Sequence, residues 1–227
     1  MMLAIETSTD ACSVALGDGA RSHVDHRVAP RQHNRLVLPM IDALLVRAGV
    51  ARADLSALAI GRGPGSFTGV RIAASIAQGL ALALDVPVAC VSTLEVLALG
   101  ALRATPAAAG VVAAIDTTAS QRYIGAFEVR NRRLTRAVED VAVATTAPLP
   151  ACVANGWLAV GPNVEALVEQ ARARGIELIA SGVTHPSAAE LLELGLLEIA
   201  AGRGVDAQHA LPVYLDGDGP WRKRARS

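Results

Sequence analysis

The sequence predicts a two-lobed α/β protein. Strand-like and helix-like patterns alternate along most of the chain, an Ala/Pro/Gly-rich stretch at 104–110 separates two such series, and 227 residues with 52% hydrophobic content are enough for two packed lobes. The expected division is an N-terminal lobe over 1–103, a smaller C-terminal lobe over 104–210 and a tail over 211–227. Aromatic residues make up only 3%, so the core must be built from Ala, Val, Leu and Ile.

The first thirty residues read as a β-meander. Residues 3–6 form a short strand, Thr7 to Asp10 a polar turn, and residues 11–16 a second strand with Cys12, Val14 and Leu16 on one face. Gly17-Asp18-Gly19 is a hairpin signal, and 21–28 alternates weakly enough to be an edge strand. Leu36, Met40, Leu44 and Ala48 then recur at helical spacing, with Gly49 as a stop. Pro39 suits only a first helical turn, so this helix is expected to begin near Leu36 or to kink at the proline. A buried strand follows at 56–60.

A glycine-rich turn, G-R-G-P-G-S-F-T-G from Gly61 to Gly69, leads into a helix over 70–84. Its Ile72, Ile76 and Leu80 make an apolar ridge. Ala73, Ala77 and Ala81 make one row of small residues, and Ser75, Gly79 and Ala83 another. A helix apolar nearly all round must be covered on most sides, and small residues let another helix come close. A strand at 87–91 ends at Ser92, which with Glu95 reads as a capping box for a helix through Leu102. Beyond the boundary, strands are expected at 111–115, 122–129 and 138–145, and helices at 163–174 and 187–201, each opened by a capping residue. The halves share a coarse plan without a solenoid period.

Composition narrows the functions. Twenty-one basic and 21 acidic residues cancel, so the chain has no global field to draw in a polyanion such as a nucleic acid by itself. Cys12, Cys90 and Cys152 are scattered, with no C-x-x-C spacing, and read as reduced thiols of a cytoplasmic protein. Residues 1–5 run straight into a polar turn without a leader-like pattern, and the apolar stretches are interrupted within fewer than the ~20 residues of a membrane span.

Several turns have the residue types of a phosphate site. Glu6, Thr7 and Ser8 lie between two strands, and Asp116 with Thr117 and Thr118 occupies the like position in the second half; backbone N–H groups and hydroxyls bind phosphate, and carboxylates hold a hydrated divalent ion. The glycine-rich loop is not a nucleotide fingerprint. It lacks a Gly-Lys-Ser/Thr ending, the chain's one lysine being Lys223, and it lacks the acidic residue of a dinucleotide fold. Its glycines are expected to serve backbone geometry and close packing, with Ser66 or Thr68 capping the helix. Arg62 and Arg71 flank the loop and are candidates to meet an anion or a partner carboxylate. His33 has Leu36 and Val37 where a metal pair on one helix face would place a second histidine, and no G-x-S-x-G elbow is present. The basic end after Trp221 reads as a solvated tail before a contact for a nucleic-acid phosphate or a protein partner, and both readings stay open.

Residues 3–16 (L-A-I-E-T-S-T-D-A-C-S-V-A-L), His33-Asn34-Arg35-Leu36, the run from Gly61 to Ile72, and A-Q-G-L-A at 77–81, in this order and spacing, resemble the TsaB (YeaZ) family. The likeness is strong over the first hundred residues and returns at A-A-I-D (113–116) and at L-P-V-Y-L near the end. It implies the two-lobed actin-like (ASKHA) ATPase fold with a degenerate C-terminal lobe. It also implies a non-catalytic subunit of the machinery that places threonylcarbamoyl on N6 of adenosine 37 in tRNAs reading ANN codons. The implied partners are TsaD, similar in fold and holding the catalytic metal and nucleotide, and the ATPase TsaE. Contact with tRNA is implied only through the complex, and a homodimer when the chain is alone. No cofactor is implied beyond ATP or ADP at the TsaD interface.

Here Glu6 stands where relatives usually carry Asp, and Asp116 is followed by Thr117-Thr118-Ala119-Ser120-Gln121-Arg122-Tyr123, where relatives usually place a Gly-Glu before an aromatic. Glu6, Thr7, Ser8 and Asp116 are therefore taken as vestigial phosphate turns, and Gly63, Pro64, Gly65, Ser66, Phe67, Thr68 and Gly69 as a structural loop. In TsaB-like proteins the partner contact lies on the two N-terminal helices. That assigns it here to His33, Leu36, Val37, Met40 and Leu44 of the first, and Arg71, Ala74, Ser75, Ala77, Gln78 and Leu82 of the second. Two rivals are an ATP-dependent kinase of the same fold, which needs both phosphate turns intact, and a glycoprotease-like metallopeptidase.

Overall fold

The computed structural model describes residues 1–118 and 120–215; the basic end after Trp221 lies outside them. Ten strands form two five-stranded sheets. The first contains β1 (Met2–Glu6), β2 (Ala11–Gly17), β3 (Ser22–Val28), β4 (Ala57–Gly61) and β5 (Val88–Val91), in the order β3-β2-β1-β4-β5. The second contains β6 (Gly110–Asp116), β7 (Gln121–Arg130), β8 (Arg133–Ala144), β9 (Leu158–Val160) and β10 (Ile179–Ala180), in the order β8-β7-β6-β9-β10. Both run antiparallel over their first three strands in sequence and parallel over the last two. The halves thus match strand for strand, closer than the coarse plan read from sequence.

Helices complete the duplication. In the first half α1 (His33–Ala48), α2 (Phe67–Leu84) and α3 (Thr93–Ala104) follow β3, β4 and β5. In the second, α4 (Val164–Arg172) and α5 (Ala188–Ala200) follow β9 and β10, while the connection from β8 to β9 has no helix to match α1. That missing helix makes the C-terminal lobe degenerate.

Helices α1 and α2 cover one face of the first sheet, burying Leu3, Ile5, Cys12, Val14 and Leu16 against Val37, Met40, Ile41 and Leu44. The other face is nearly all Ala4, Ala15, Ala57, Ala59 and Ala89, and α5 closes on it with Leu191 and Leu192. The approach is close: a Cβ on Gly195 of α5 would stand 2.6 Å from the Ala59 side chain. Helix α3, through Leu94, Leu97 and Ala101, packs on the second sheet against Val111, Ala113 and Phe127, and α4 covers its far side. The last helix of each half therefore packs on the sheet of the other half, and α3 and α5 lie side by side between the sheets.

This packing corrects the division at residue 103. Residues 188–200 bury the first lobe's alanine face, Val205 bridges to Val88, and Ala210 joins the first lobe's other core cluster. A lobe boundary drawn from a loop's composition misses a helix that crosses over.

Other differences are local. Helix α1 begins at His33, earlier than the reading that starts it near Leu36, and continues past Pro39. Proline lacks a donor for the carbonyl four residues back, and the stripe buried by Val37, Met40, Ile41, Leu44 and Leu45 outweighs that one lost bond. Ser66, not Thr68, caps α2, accepting from Gly69 N, and Ser92 caps α3, accepting from Glu95 N. The Glu95 carboxylate turns to Arg136 at 2.6 Å. Asn163 makes no side-chain cap on α4. Strands β9 and β10, three and two residues long, were too short to read as strands from their pattern.

Candidate functional site

Two features bear on function: the cleft between the lobes and the outer face of α1 and α2.

The cleft holds about 580 Å³ and is walled by the β1–β2 turn, the glycine-rich loop, the β6–β7 turn, Pro162, Asn163 and His185. Its turns are largely engaged with the protein itself. Glu6 is fully buried; its Oε1 accepts from Ser8 N at 2.7 Å and from Ser8 Oγ at 2.5 Å, and its Oε2 has no partner among the described residues. Burial pushes the Glu6 carboxyl above its ordinary range, against the lowering effect of the Ser8 bonds. Thr7 Oγ1 donates to Gly69 O at 2.7 Å, and Ser66 N donates to Ser8 O at 2.7 Å. The loop's glycines make this contact possible. A Cβ would stand 1.8 Å from Glu6 Oε2 at Gly61, 2.4 Å from Ser8 O at Gly65 and 1.9 Å from Thr7 O at Gly69. The loop thus lies flat on the first turn and uses the groups a phosphate would need.

Across the cleft, Asp116 is held by Arg122, whose Nε donates to Oδ1 at 2.5 Å and Nη2 to Oδ2 at 3.2 Å, while Arg122 Nη1 donates to Gln170 Oε1. Arg122 is buried, and it neutralises the carboxylate that a metal would need. Thr9 Oγ1 and His185 Nδ1 meet at 3.4 Å, and burial lowers the His185 pKa. Among the described residues, no three His, Cys, Asp or Glu side chains gather to hold a metal ion.

The outer face differs. Six of the 18 residues of α2 are buried: Gly69, Val70, Ala73, Ala74, Ala77 and Ala81. The alanine row is the inner side, where small residues let the helix settle on β4 and β1. Outward lie half-buried Ile72 and Ile76, exposed Ser75, Gly79 and Ala83, and Leu82 at 79% exposure; Leu38 of α1 adds 51%. A groove of about 420 Å³ runs along this face from Asn34 and Leu38 to Ile76. The length and apolarity of α2 match a membrane span, yet its buried row packs on a sheet and Ser66 caps it.

This geometry redistributes the residues assigned to a partner contact. His33, Val37, Met40, Leu44, Ala74 and Ala77 are buried in the chain's own core and are not surface residues. His33 donates through Nε2 to the Ala11 carbonyl at 3.1 Å. Leu36 packs partly into the core, and Gln78 donates to Ala210 O. Arg71, Ser75 and Leu82 remain on the outer face. Leu38, Phe67, Ile72, Ile76 and Gly79 join them. The strongest apolar stripe of each helix faces its own sheet, so the signal for an outer face is the second stripe.

Comparison with known proteins agrees with the fold. The family model described as TsaD: tRNA N6-adenosine threonylcarbamoyltransferase matches residues 24–199. The TsaB protein of Escherichia coli K12, named for tRNA threonylcarbamoyladenosine biosynthesis, is 36% identical over 225 residues, 98% of this chain and 97% of that one. This chain belongs to the TsaB (YeaZ) family. The solved structure of YeaZ from Pseudomonas aeruginosa superposes with a TM-score of 0.83 at 38% identity, covering 94% of this chain and 99% of that one. A tRNA N6-adenosine threonylcarbamoyltransferase of Ralstonia pickettii is 38% identical over 112 residues, 42% of this chain and 32% of that protein.

Proposed function

We propose that this chain is a non-catalytic subunit in the formation of threonylcarbamoyladenosine at tRNA position 37, and that it docks TsaD through the outer face of α1 and α2. The observation that carries this reading is Gly79. It lies in the middle of α2, where a glycine costs about 1 kcal/mol relative to alanine. Nothing stands within 4 Å of where its Cβ would be. The isolated fold has no use for a missing side chain there, whereas a second backbone pressed onto the face does. The bare Leu82 on the same helix and Leu38 on α1 supply apolar area to bury. A partner of related fold would present a similar pair of helices, and without it the face is expected to pair with a second copy.

The occupied turns support the non-catalytic part. Glu6 and Asp116, the two acids of the candidate phosphate turns, are bonded to Ser8 and Arg122, which disfavours the kinase reading. His33 is engaged by Ala11, which disfavours the metallopeptidase reading. TsaE, tRNA and a nucleotide at the interface are then met through the complex, in the cytoplasm.

Gly79→Arg tests the docking. Helix propensity favours the substitution and the site is open, so the chain keeps its thermal midpoint. Size-exclusion chromatography with TsaD is expected to show the complex for the parent chain and its loss for the variant. A complex that persists with Gly79→Arg overturns the reading.

A further inference from the structure

We infer that Arg71 is the specificity determinant of the α1–α2 face: a fixed guanidinium fork that takes a carboxylate from the docked partner and disfavours pairing of the face with its own copy. The inference rests on the docking reading above and names the chemistry the partner must bring.

Arg71 is the one charged residue among the 18 of α2. Its guanidinium carbon lies 3.1 Å from the centroid of the Phe67 ring and 5.0 Å from that of Tyr214, and the two rings are 5.8 Å apart. Tyr214 is brought there by the chain that follows α5, where Val213 N donates to Arg62 O at 2.8 Å. Stacking on a ring fixes the guanidinium plane and leaves its edge donors in the fork that matches a carboxylate. No hydrogen bond or ion pair from Arg71 is made among the described residues, and Nη1 is buried without an acceptor. A guanidinium held in place with its donors unmet, on the wall of an exposed apolar groove, lacks an anion.

The face itself cannot supply one. The groove is lined by Asn34, Leu38, Phe67, Thr68, Ile72 and Ile76 around Arg71, with no carboxylate. The nearest acid on the two helices, Asp42, is paired with Arg52 at 2.6 Å. Self-pairing of this patch sets Arg71 against an apolar surface that carries a second Arg71, and both cations are desolvated without partners. A related helix pair with Asp or Glu at the matching place satisfies the fork. The same residue thus attracts one partner and penalises the other.

The test uses the full chain with TsaD, measuring heterodimer affinity by calorimetry and self-association by sedimentation, with matched thermal midpoints as the folding control. Arg71→Ala is expected to weaken the heterodimer about 10- to 100-fold, the range of a charged hydrogen bond, and to tighten self-association. Arg71→Glu should weaken the heterodimer at least as much, and Arg71→Lys, which keeps the charge without the fork, by an intermediate factor. Replacing the partner's acidic residues by Arg one at a time should restore binding to Arg71→Glu at one position. Three results overturn the inference. In the first, binding is unchanged in Arg71→Glu while Gly79→Arg abolishes it; docking then stands and Arg71 has no part in it. In the second, Gly79→Arg also leaves binding intact, and the docking reading falls and takes this one with it. In the third, the double substitution Asp216→Asn, Asp218→Asn reproduces the Arg71→Ala loss, and the carboxylate comes from this chain rather than from the partner.

Discussion

The buried Glu6 shows how one side chain sets the character of a site. Its extra methylene relative to aspartate carries the carboxylate against Gly61, where one oxygen is bonded by Ser8 and the other is buried without a partner. Because folding raises this pKa, the folded state binds the proton more tightly than the unfolded chain. The stability tied to that proton is present below the ordinary glutamate value and is lost as pH rises from there through the raised one. Glu6→Gln keeps an acceptor for Ser8 and cannot ionise. Thermal unfolding from pH 4 to pH 8 is expected to show the variant more stable than the parent at neutral pH, with the difference vanishing at the acid end. A constant difference across that range would mean that Glu6 does not titrate as its burial dictates. In the sequence Glu6 reads only as an acid in a polar turn; its burial depends on Gly61, 55 positions away.

At the scale of the element, α2 has two faces that composition alone makes look alike. The alanine row is buried and the Ser75, Gly79, Ala83 row is open, although both are small. The two sides respond differently to a polar group. Ala77→Asp places an unpaired charge in the core, and a cost above about 4 kcal/mol takes most of a typical domain's stability. Leu82→Ser removes an apolar side chain that is already in water and should stay within about 0.5 kcal/mol of the parent. Chemical denaturation of the two variants measures both. Comparable losses would mean that Leu82 is covered in the free chain. The periodicity of α2 was legible, but which row faces inward is a choice made by β4 and β1, whose Leu3, Ile5, Leu58 and Ile60 surface accepts the row with the least bulk.

For the whole molecule the exchange of α3 and α5 is decisive. The first sheet's alanine face is covered from residues 188–200, and the second sheet's inner face from residues 93–104. Arg103 joins the two helices, pairing with Glu190 at 2.6 Å and also with Glu193. Neither half therefore owns a complete core. A fragment of residues 1–103 is expected to remain unfolded or molten, with a dye-binding apolar surface and poor dispersion in amide spectra, whereas the full chain folds cooperatively. A well-dispersed spectrum from the fragment would show that α5 is dispensable to the first lobe.

The sequence alone determined the longer strands and the helices in their order, the cap at Ser92, the aliphatic core and the family likeness, because each is written in neighbouring residues by period, turn chemistry or motif. The tertiary structure alone decided which helix covers which sheet, which apolar stripe is surface, and that the acids of the phosphate-like turns are already bonded. These depend on residues far apart in the chain meeting at van der Waals distance. The closeness of that approach is set by missing side chains at Gly61, Gly65, Gly69 and Gly195, whose neighbours no local pattern names.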